Sequence, residues 1–335
     1  MLSFLFWYSL TSIYTLSESF YLQKIQGLIL DALALVCAFI LIRTNKSARV
    51  YYIVLFAIAS IASIAILYME SLGRLDTLIK LGSNAELLGF PDYLILGKLI
   101  GIGAIVILGY GYLWCKLVSL IMIVTIFLLG ARGPAIFVLI SSIIFFLPNK
   151  GKLRLNGWSL AIIIISLCIC FTIFIGIDKI WSNFESDRLI RFSAIFTDPQ
   201  SIRGEVFQDA FSIITSYPLL GVGIGGYGLA GYGVDENVYP HNLFLEVLAE
   251  SGLLGFVIFM LGVIIFFLRG FRWINSTERT IAIVLLVFLF LNYMKTGSFI
   301  GARDLYMHFG VVLGLSCFPR KKAKYLGLDF DQRWY

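Results

Sequence analysis

Charged residues are scarce in this sequence. Asp, Glu, Lys and Arg make up 14% of its 335 residues, whereas hydrophobic residues make up 59%. A soluble domain needs far more charge to cover its surface, so this composition excludes one and indicates a protein whose solvent is lipid. The Lys and Arg residues fall in alternate short loops, not in a basic stripe. We therefore expect no nucleic acid among its partners.

Histidine and cysteine are also rare, with two and five residues respectively. The cysteines lie in or beside apolar segments, and the pair Cys168 and Cys170 has no His or further Cys at ligand spacing. This pattern excludes a zinc or redox site and a disulfide framework. We expect no metal and no cofactor.

Apolar runs follow one another along almost the whole chain. A helix needs roughly 20 residues to cross a bilayer, and ten runs approach that length. They cover residues 1–16, 26–42, 50–68, 93–110, 116–130, 134–148, 158–177, 243–268, 280–294 and 305–318. The first run lacks a basic start and a cleavage site, so we interpret it as a span and not a signal peptide. The prediction is an all-α polytopic membrane protein with about ten transmembrane helices.

The basic residues orient these spans. If ten spans alternate, all four basic clusters fall on one side of the membrane, and that side is cytoplasmic. The clusters are Arg43, Lys46 and Arg49; Lys150, Lys152 and Arg154; Arg269, Arg272 and Arg279; and Arg320, Lys321, Lys322 and Lys324. The prediction divides the chain into N-terminal transmembrane helices at 1–115, a membrane core at 116–318 and a cytoplasmic tail at 319–335. The core includes one large extracytoplasmic loop, residues 178–242.

Four arginines are candidate ligands for an anion. Arg132 lies in a short turn between two spans, and Arg188, Arg191 and Arg203 lie in the outer loop. Arginine binds phosphate through two parallel hydrogen bonds and stays charged at any relevant pH. The alternative for Arg132 is that its side chain only extends to the membrane–water interface. The alternative for the loop arginines is that they are simply solvated.

A glycine-rich tract, residues 221–226, matches the pattern G-x-G-x-x-G. It lies in the outer loop without a preceding strand, so a dinucleotide-binding site is excluded. We favour a flexible turn over the alternative, a row of backbone N–H groups close to an anion.

The sequence places four polar residues at the start of the eighth span. Asn242 is a good N-cap, and His241 before it is expected to be a neutral imidazole because a helix N-terminus disfavours the imidazolium. Glu246 and Glu250 follow on one helical face, where carboxylates are costly without water or a partner. This arrangement predicts a site, and the alternative is a structural polar face directed at Arg132 or Arg303.

These motifs together resemble a known family. The stretches Tyr239–Glu246 and Glu250–Gly255 look like the His-Asn and Glu-x-Gly-x-x-Gly block of the O-antigen ligase and polymerase superfamily. Gly130–Gly133 resembles its Ser-Arg-Gly turn. The resemblance covers roughly residues 120–315, with Ala131 where Ser is usual and Phe207 where Trp is usual.

The resemblance implies an inverting, metal-independent glycosyl transfer at the outer face of the bacterial cytoplasmic (inner) membrane. The substrates would be oligosaccharides linked to undecaprenyl pyrophosphate, and a chain-length regulator and a flippase of the same pathway are candidate partners. His241 and Glu246 would be catalytic. The implied substrate-binding residues are Arg132, Arg188, Arg191, Arg203, Asn242 and Glu250.

Three activities stay open. We favour a Wzy-type polymerase of O-antigen or capsular repeat units, because short, divergent members with large outer loops look like polymerases. The alternatives are an O-antigen ligase that transfers polymer to the lipid A core of lipopolysaccharide, and a flippase or transporter for the same lipid. A non-catalytic membrane scaffold is disfavoured by the charges of the eighth span.

The predicted topology can be checked with reporter fusions. Fusions after Arg154 and after Lys324 should report cytoplasm, and one after Asp235 should report the outer side, because the basic loops stay inside. A cytoplasmic signal at Asp235 would overturn this topology.

Overall fold

The computed structural model describes residues 1–75, 93–146, 202–272 and 276–317, and within these ranges it contains helices and no strand. The α-helices, in chain order, are α1 (Leu2–Leu10), α2 (Phe20–Leu41), α3 (Asn45–Ser71), α4 (Tyr93–Gly109), α5 (Leu113–Leu128), α6 (Arg132–Ser142), α7 (Ile202–Ser216), α8 (Tyr227–Tyr232), α9 (Leu243–Arg272), α10 (Thr277–Thr296) and α11 (Arg303–Cys317). Short 3-10 helices follow α1 at Thr11–Ile13 and α6 at Ile143–Phe146.

Four of these helices are long and apolar enough to cross a membrane. They are Phe20–Leu41, Asn45–Ser71, Leu243–Leu268 and Thr277–Lys295, and shorter apolar helices accompany them. The predicted all-α membrane architecture is confirmed at this level. The number of ten spans stays a prediction, and the predicted span at 158–177 lies outside the described residues, as does 178–201 of the predicted outer loop.

The N-terminal apolar run differs from the single helix that we expected over 1–16. It forms the nine-residue α1 and then the 3-10 turn, where the Thr11 hydroxyl donates to the Tyr8 carbonyl at 2.7 Å. Threonine hydroxyls compete in this way with regular helical bonding. The ring of Phe4 packs 5.0 Å from that of Phe259, so α1 lies against α9.

The long helix α9 is broken at Gly252. Its φ of 62° and ψ of −169° are not helical and belong to a region that essentially only glycine adopts. The first half bends back towards the second, because the Phe244 ring lies 5.6 Å from that of Phe256. What the sequence presents as one span is therefore two helical segments that meet at an angle.

The break frees backbone groups that a continuous helix would pair, and a loop pairs them. We name residues 217–226 the strap. Four hydrogen bonds join it to α9: Val222 N–H to the Ala249 carbonyl (2.9 Å), Gly223 N–H to the Glu250 carbonyl (2.9 Å), Leu253 N–H to the Pro218 carbonyl (2.9 Å) and Leu254 N–H to the Leu219 carbonyl (3.3 Å). Irregular backbone within a membrane protein is tolerated where protein buries it, and the strap is buried from Gly221 onward.

Asp235 joins the segment after the strap to the start of α2. Its carboxylate accepts hydrogen bonds from the hydroxyls of Ser17 and Ser19 and from the N–H groups of Glu18, Ser19 and Phe20. Burial alone would raise the pKa of Asp235, but these hydrogen bonds hold it at about 2. Because the pKa is depressed, this contact stabilises the fold at neutral pH and is lost only as the pH falls towards 2.

The break in α9 gives a stability prediction. In Gly252→Ala the new Cβ would overlap the backbone of Leu219, and the alanine would be held at a strained positive φ. We therefore expect the unfolding free energy to fall by more than about 3 kcal/mol. Gly111→Ala is the matched control, because Gly111 also has a positive φ of 76° but has open space around it. Gly111→Ala should lower the unfolding free energy by only about 1–2 kcal/mol. Equal thermal melting of the two variants in detergent would contradict the role assigned to the break.

Candidate functional site

Asn242 caps α9, as predicted. Its Oδ1 accepts the N–H groups of Phe244 at 2.9 Å and Leu245 at 3.2 Å. Its Nδ2 donates to the Met294 carbonyl at 3.0 Å. The side chain therefore starts α9 and also joins it to the last turn of α10.

His241 has an unusual backbone. It is exposed, and its φ of 51° is the one positive φ that a non-glycine residue adopts in the described part of the chain. Such a conformation costs on the order of 1–3 kcal/mol and is found most often at functional sites. Pro240 before it is buried, the Tyr239 ring lies 4.5 Å from the imidazole, and the capped helix follows. The exposed imidazole is thus carried by a restrained backbone.

Glu246 and Glu250 are paired with a residue that the sequence analysis did not single out. The ammonium of Lys24 on α2 lies 2.7 Å from Oε1 of each carboxylate, and all three side chains are at most 1% exposed. The sequence alternative of a structural polar face directed at Arg132 or Arg303 did not include Lys24, which the structure gives as the cation of both carboxylates. We call Lys24, Glu246 and Glu250 the carboxylate cluster.

Hydrogen bonds from three other segments complete the carboxylate cluster. Glu246 accepts from the Ser298 hydroxyl at 3.1 Å and from the Phe299 N–H at 2.7 Å. Glu250 accepts from the Tyr8 hydroxyl and from the Gly225 N–H at 3.1 Å. Buried charge is tolerated when it is paired and bonded in this way. The cluster therefore fixes α1, α2, α9, the strap and the α10–α11 connection relative to one another.

The glycine-rich tract is neither the flexible turn that we favoured nor an open anion site. Residues 221–226 are buried in the strap. One N–H group, that of Gly225, does contact an anion, but this anion is the protein's own Glu250 carboxylate. Glycine is required at Gly223, where a Cβ would overlap the Thr15 backbone.

The arginine candidates are placed to different degrees. Arg132 is the first residue of α6, and Arg203 is the second residue of α7. Arg188 and Arg191 lie outside the described residues. Within the described ranges, no three His, Cys, Asp or Glu side chains lie close enough to share a metal ion. The expectation of a metal-free site stays a prediction.

The carboxylate cluster predicts a charge-balance effect. Lys24→Met should lower the unfolding free energy by about 3–5 kcal/mol, because it leaves two buried carboxylates without their cation. Adding Glu246→Gln and Glu250→Gln should restore much of that loss. Lys46→Met, at an exposed lysine of α3, is the control and should change stability by less than about 0.5 kcal/mol. Thermal unfolding of the purified variants tests this, and an unstable triple variant would argue against charge balance as the cause.

Comparison with known proteins gives one family match. Residues 117–260 match the family model described as O-antigen ligase, a range that holds both the Arg132 turn and the segment from His241 to Glu250. No curated protein matches the chain. The family implies a membrane glycosyltransferase-like function of the ligase or polymerase type, with lipid-linked oligosaccharides as substrates. The resemblance seen in the sequence is thereby confirmed: residues 117–260 match the O-antigen ligase family model, which supports a place for the chain in the O-antigen ligase/polymerase superfamily.

Proposed function

We propose that this protein polymerises oligosaccharide repeat units carried on undecaprenyl pyrophosphate into O-antigen or capsular polysaccharide. The reaction takes place at the outer face of the bacterial cytoplasmic membrane. A hydroxyl of one lipid-linked unit attacks the anomeric carbon of another. The new glycosidic bond forms as the bond to the pyrophosphate oxygen breaks, so the configuration at that carbon inverts.

The observation that carries this proposal is the presentation of His241. An exposed imidazole with a positive φ, fixed between a buried proline and a helix cap, is suited to meet a substrate hydroxyl in one orientation. The N-terminus of α9 favours the neutral imidazole. In the proposed reaction the imidazole accepts the proton of the attacking hydroxyl, which leaves the oxygen free to bond to the anomeric carbon.

Glu246 is the alternative base, and its surroundings favour His241 over it. The Glu246 carboxylate is fully buried and already bonded to Lys24, Ser298 and Phe299. A base must reach the hydroxyl that it deprotonates. We therefore propose that Glu246 and Glu250 act as positioning residues that hold the first half of α9, and with it His241, in place.

The leaving group needs positive charge. Undecaprenyl pyrophosphate departs with the bonding electrons, and cations that contact it stabilise the developing charge. We assign this role to Arg132 and Arg203, with Arg188 or Arg191 as further ligands, in place of a divalent cation. Asn242, beside the base, would bind the sugar.

A ligase would use the same donor chemistry with a different acceptor. The two activities, and the flippase alternative, can be separated by products. A deletion strain of a polymerase should carry single repeat units attached to the lipid core, whereas loss of a ligase should leave lipid-linked polymer without attachment. A flippase defect would retain repeat units in the cytoplasmic leaflet.

Substitutions at His241 test the proposed base. His241→Gly should lower the rate of polymer formation by about a hundred- to ten-thousandfold, whereas the unfolding free energy should not fall. The relief of left-handed strain, about 1–2 kcal/mol, exceeds the flexibility cost of glycine, about 0.5–1 kcal/mol. Both quantities can be measured on purified protein with lipid-linked repeat units.

Two further variants separate the roles of the imidazole. The side chain of His241→Gln can accept a hydrogen bond but cannot take up a proton at neutral pH. Near-normal activity of this variant would mean that His241 only orients the acceptor hydroxyl, and Glu246 would then be the better candidate for the base. The matched control is His308→Gln at the other histidine, which is buried and bonded to Asp304 and Tyr51. Polymer formation at the wild-type rate by His241→Gly would remove His241 from the reaction.

A further inference from the structure

Lys295 lies where two separate parts of the candidate site meet. It is in the last turn of α10, directly after Met294, whose carbonyl accepts the Asn242 side chain at 3.0 Å. Its own side chain crosses to α6, where it covers Gly133. Asn242 follows His241 in the chain, and Gly133 follows Arg132. Lys295 therefore bridges the segment of the proposed base and the segment of a proposed phosphate ligand.

The approach of Lys295 to α6 is close. A Cβ built on Gly133 would lie 3.1 Å from Cδ and 3.4 Å from Nζ of Lys295. A side chain at residue 133 would therefore press against the lysine, and glycine lets the two helices keep this close contact. This brings the ammonium beside the turn that carries Arg132, and Lys295 itself lies outside the matched range of 117–260.

We propose that Lys295 is an anion-binding residue of this site and contacts the pyrophosphate of the lipid-linked donor. This rests on the proposed function. An ammonium is a compact charge with three donors, suited to the several oxygens of a pyrophosphate. Lys295 lies between the segment of the base and the α5–α6 turn. There it would add a cation to the proposed arginines and stabilise the charge that develops on the leaving group.

A purely structural role for Lys295 is the competing explanation. Lysines in the last turn of a helix often bond its terminal carbonyls and interact favourably with its negative end. That role would affect stability and would leave donor affinity unchanged. The direction of the side chain, towards Gly133 of another helix, favours the anion-binding role.

The test compares Lys295→Met and Lys295→Arg with wild type in two assays on the full-length protein in detergent. The first measures the KM for the lipid-linked donor. The second measures binding of inorganic pyrophosphate by calorimetry, with sulfate as the comparison anion. We expect Lys295→Met to raise the KM for the donor and the dissociation constant for pyrophosphate by about ten- to a hundredfold, the usual loss for a charge-assisted hydrogen bond. Lys295→Arg should keep both constants close to those of wild type. Lys46→Met is the matched control and should behave as wild type.

The two assays separate this proposal from the proposed function. If wild type shows no glycosyl transfer but Lys295→Met loses pyrophosphate binding, the anion site stands and the polymerase proposal fails. If Lys295→Met polymerises with an unchanged KM and binds pyrophosphate as wild type does, Lys295 is not a ligand. A wild-type protein that binds pyrophosphate no better than sulfate, or a Lys295→Met variant that loses only melting temperature, would also overturn the proposal.

Discussion

The ion pairs of Lys24 with Glu246 and Glu250 are the constraint on which the rest of the described structure depends. Two carboxylates inside an apolar bundle are tolerated only with a cation and with donors for their remaining oxygens. Lys24 supplies the charge, and Tyr8, Gly225, Ser298 and Phe299 supply the donors. These four donors lie in three segments, α1, the strap and the α10–α11 connection, so the hydrogen bonds of two carboxylates hold these segments together with α2 and α9.

The break at Gly252 and the carboxylate cluster belong to one arrangement. Because α9 bends, its first half can carry Glu246 and Glu250 to α2 while its second half continues to Arg272. The strap then bonds the backbone groups that the break frees, and its Gly225 also bonds Glu250. The short first half of α9 is held at both ends, by the Asn242 cap at its start and the strap at its end. His241 therefore precedes one of the most restrained segments described.

The sequence predicted those features that depend on local patterns. Apolar runs located the helices, and Asn242 before an apolar stretch predicted the cap that the structure contains. The break at Gly252 was not predicted because hydrophobic residues continue on both sides of it, and a single glycine within a helix usually costs little. Lys24 was missed because a lysine near the end of an apolar run usually extends to the interface. Its role depends on partners more than two hundred residues away.

That separation has a consequence for how the protein is made. Glu246 follows Lys24 by 222 residues. A ribosome adds about 5–20 residues per second, so roughly 10–45 seconds pass between synthesis of the cation and of its partner. During that interval the two carboxylates that pair with Lys24 in the folded protein have not yet been made. The contacts of α2 with α9 therefore cannot be completed until the last third of the chain, which carries Glu246 and Glu250, has been made.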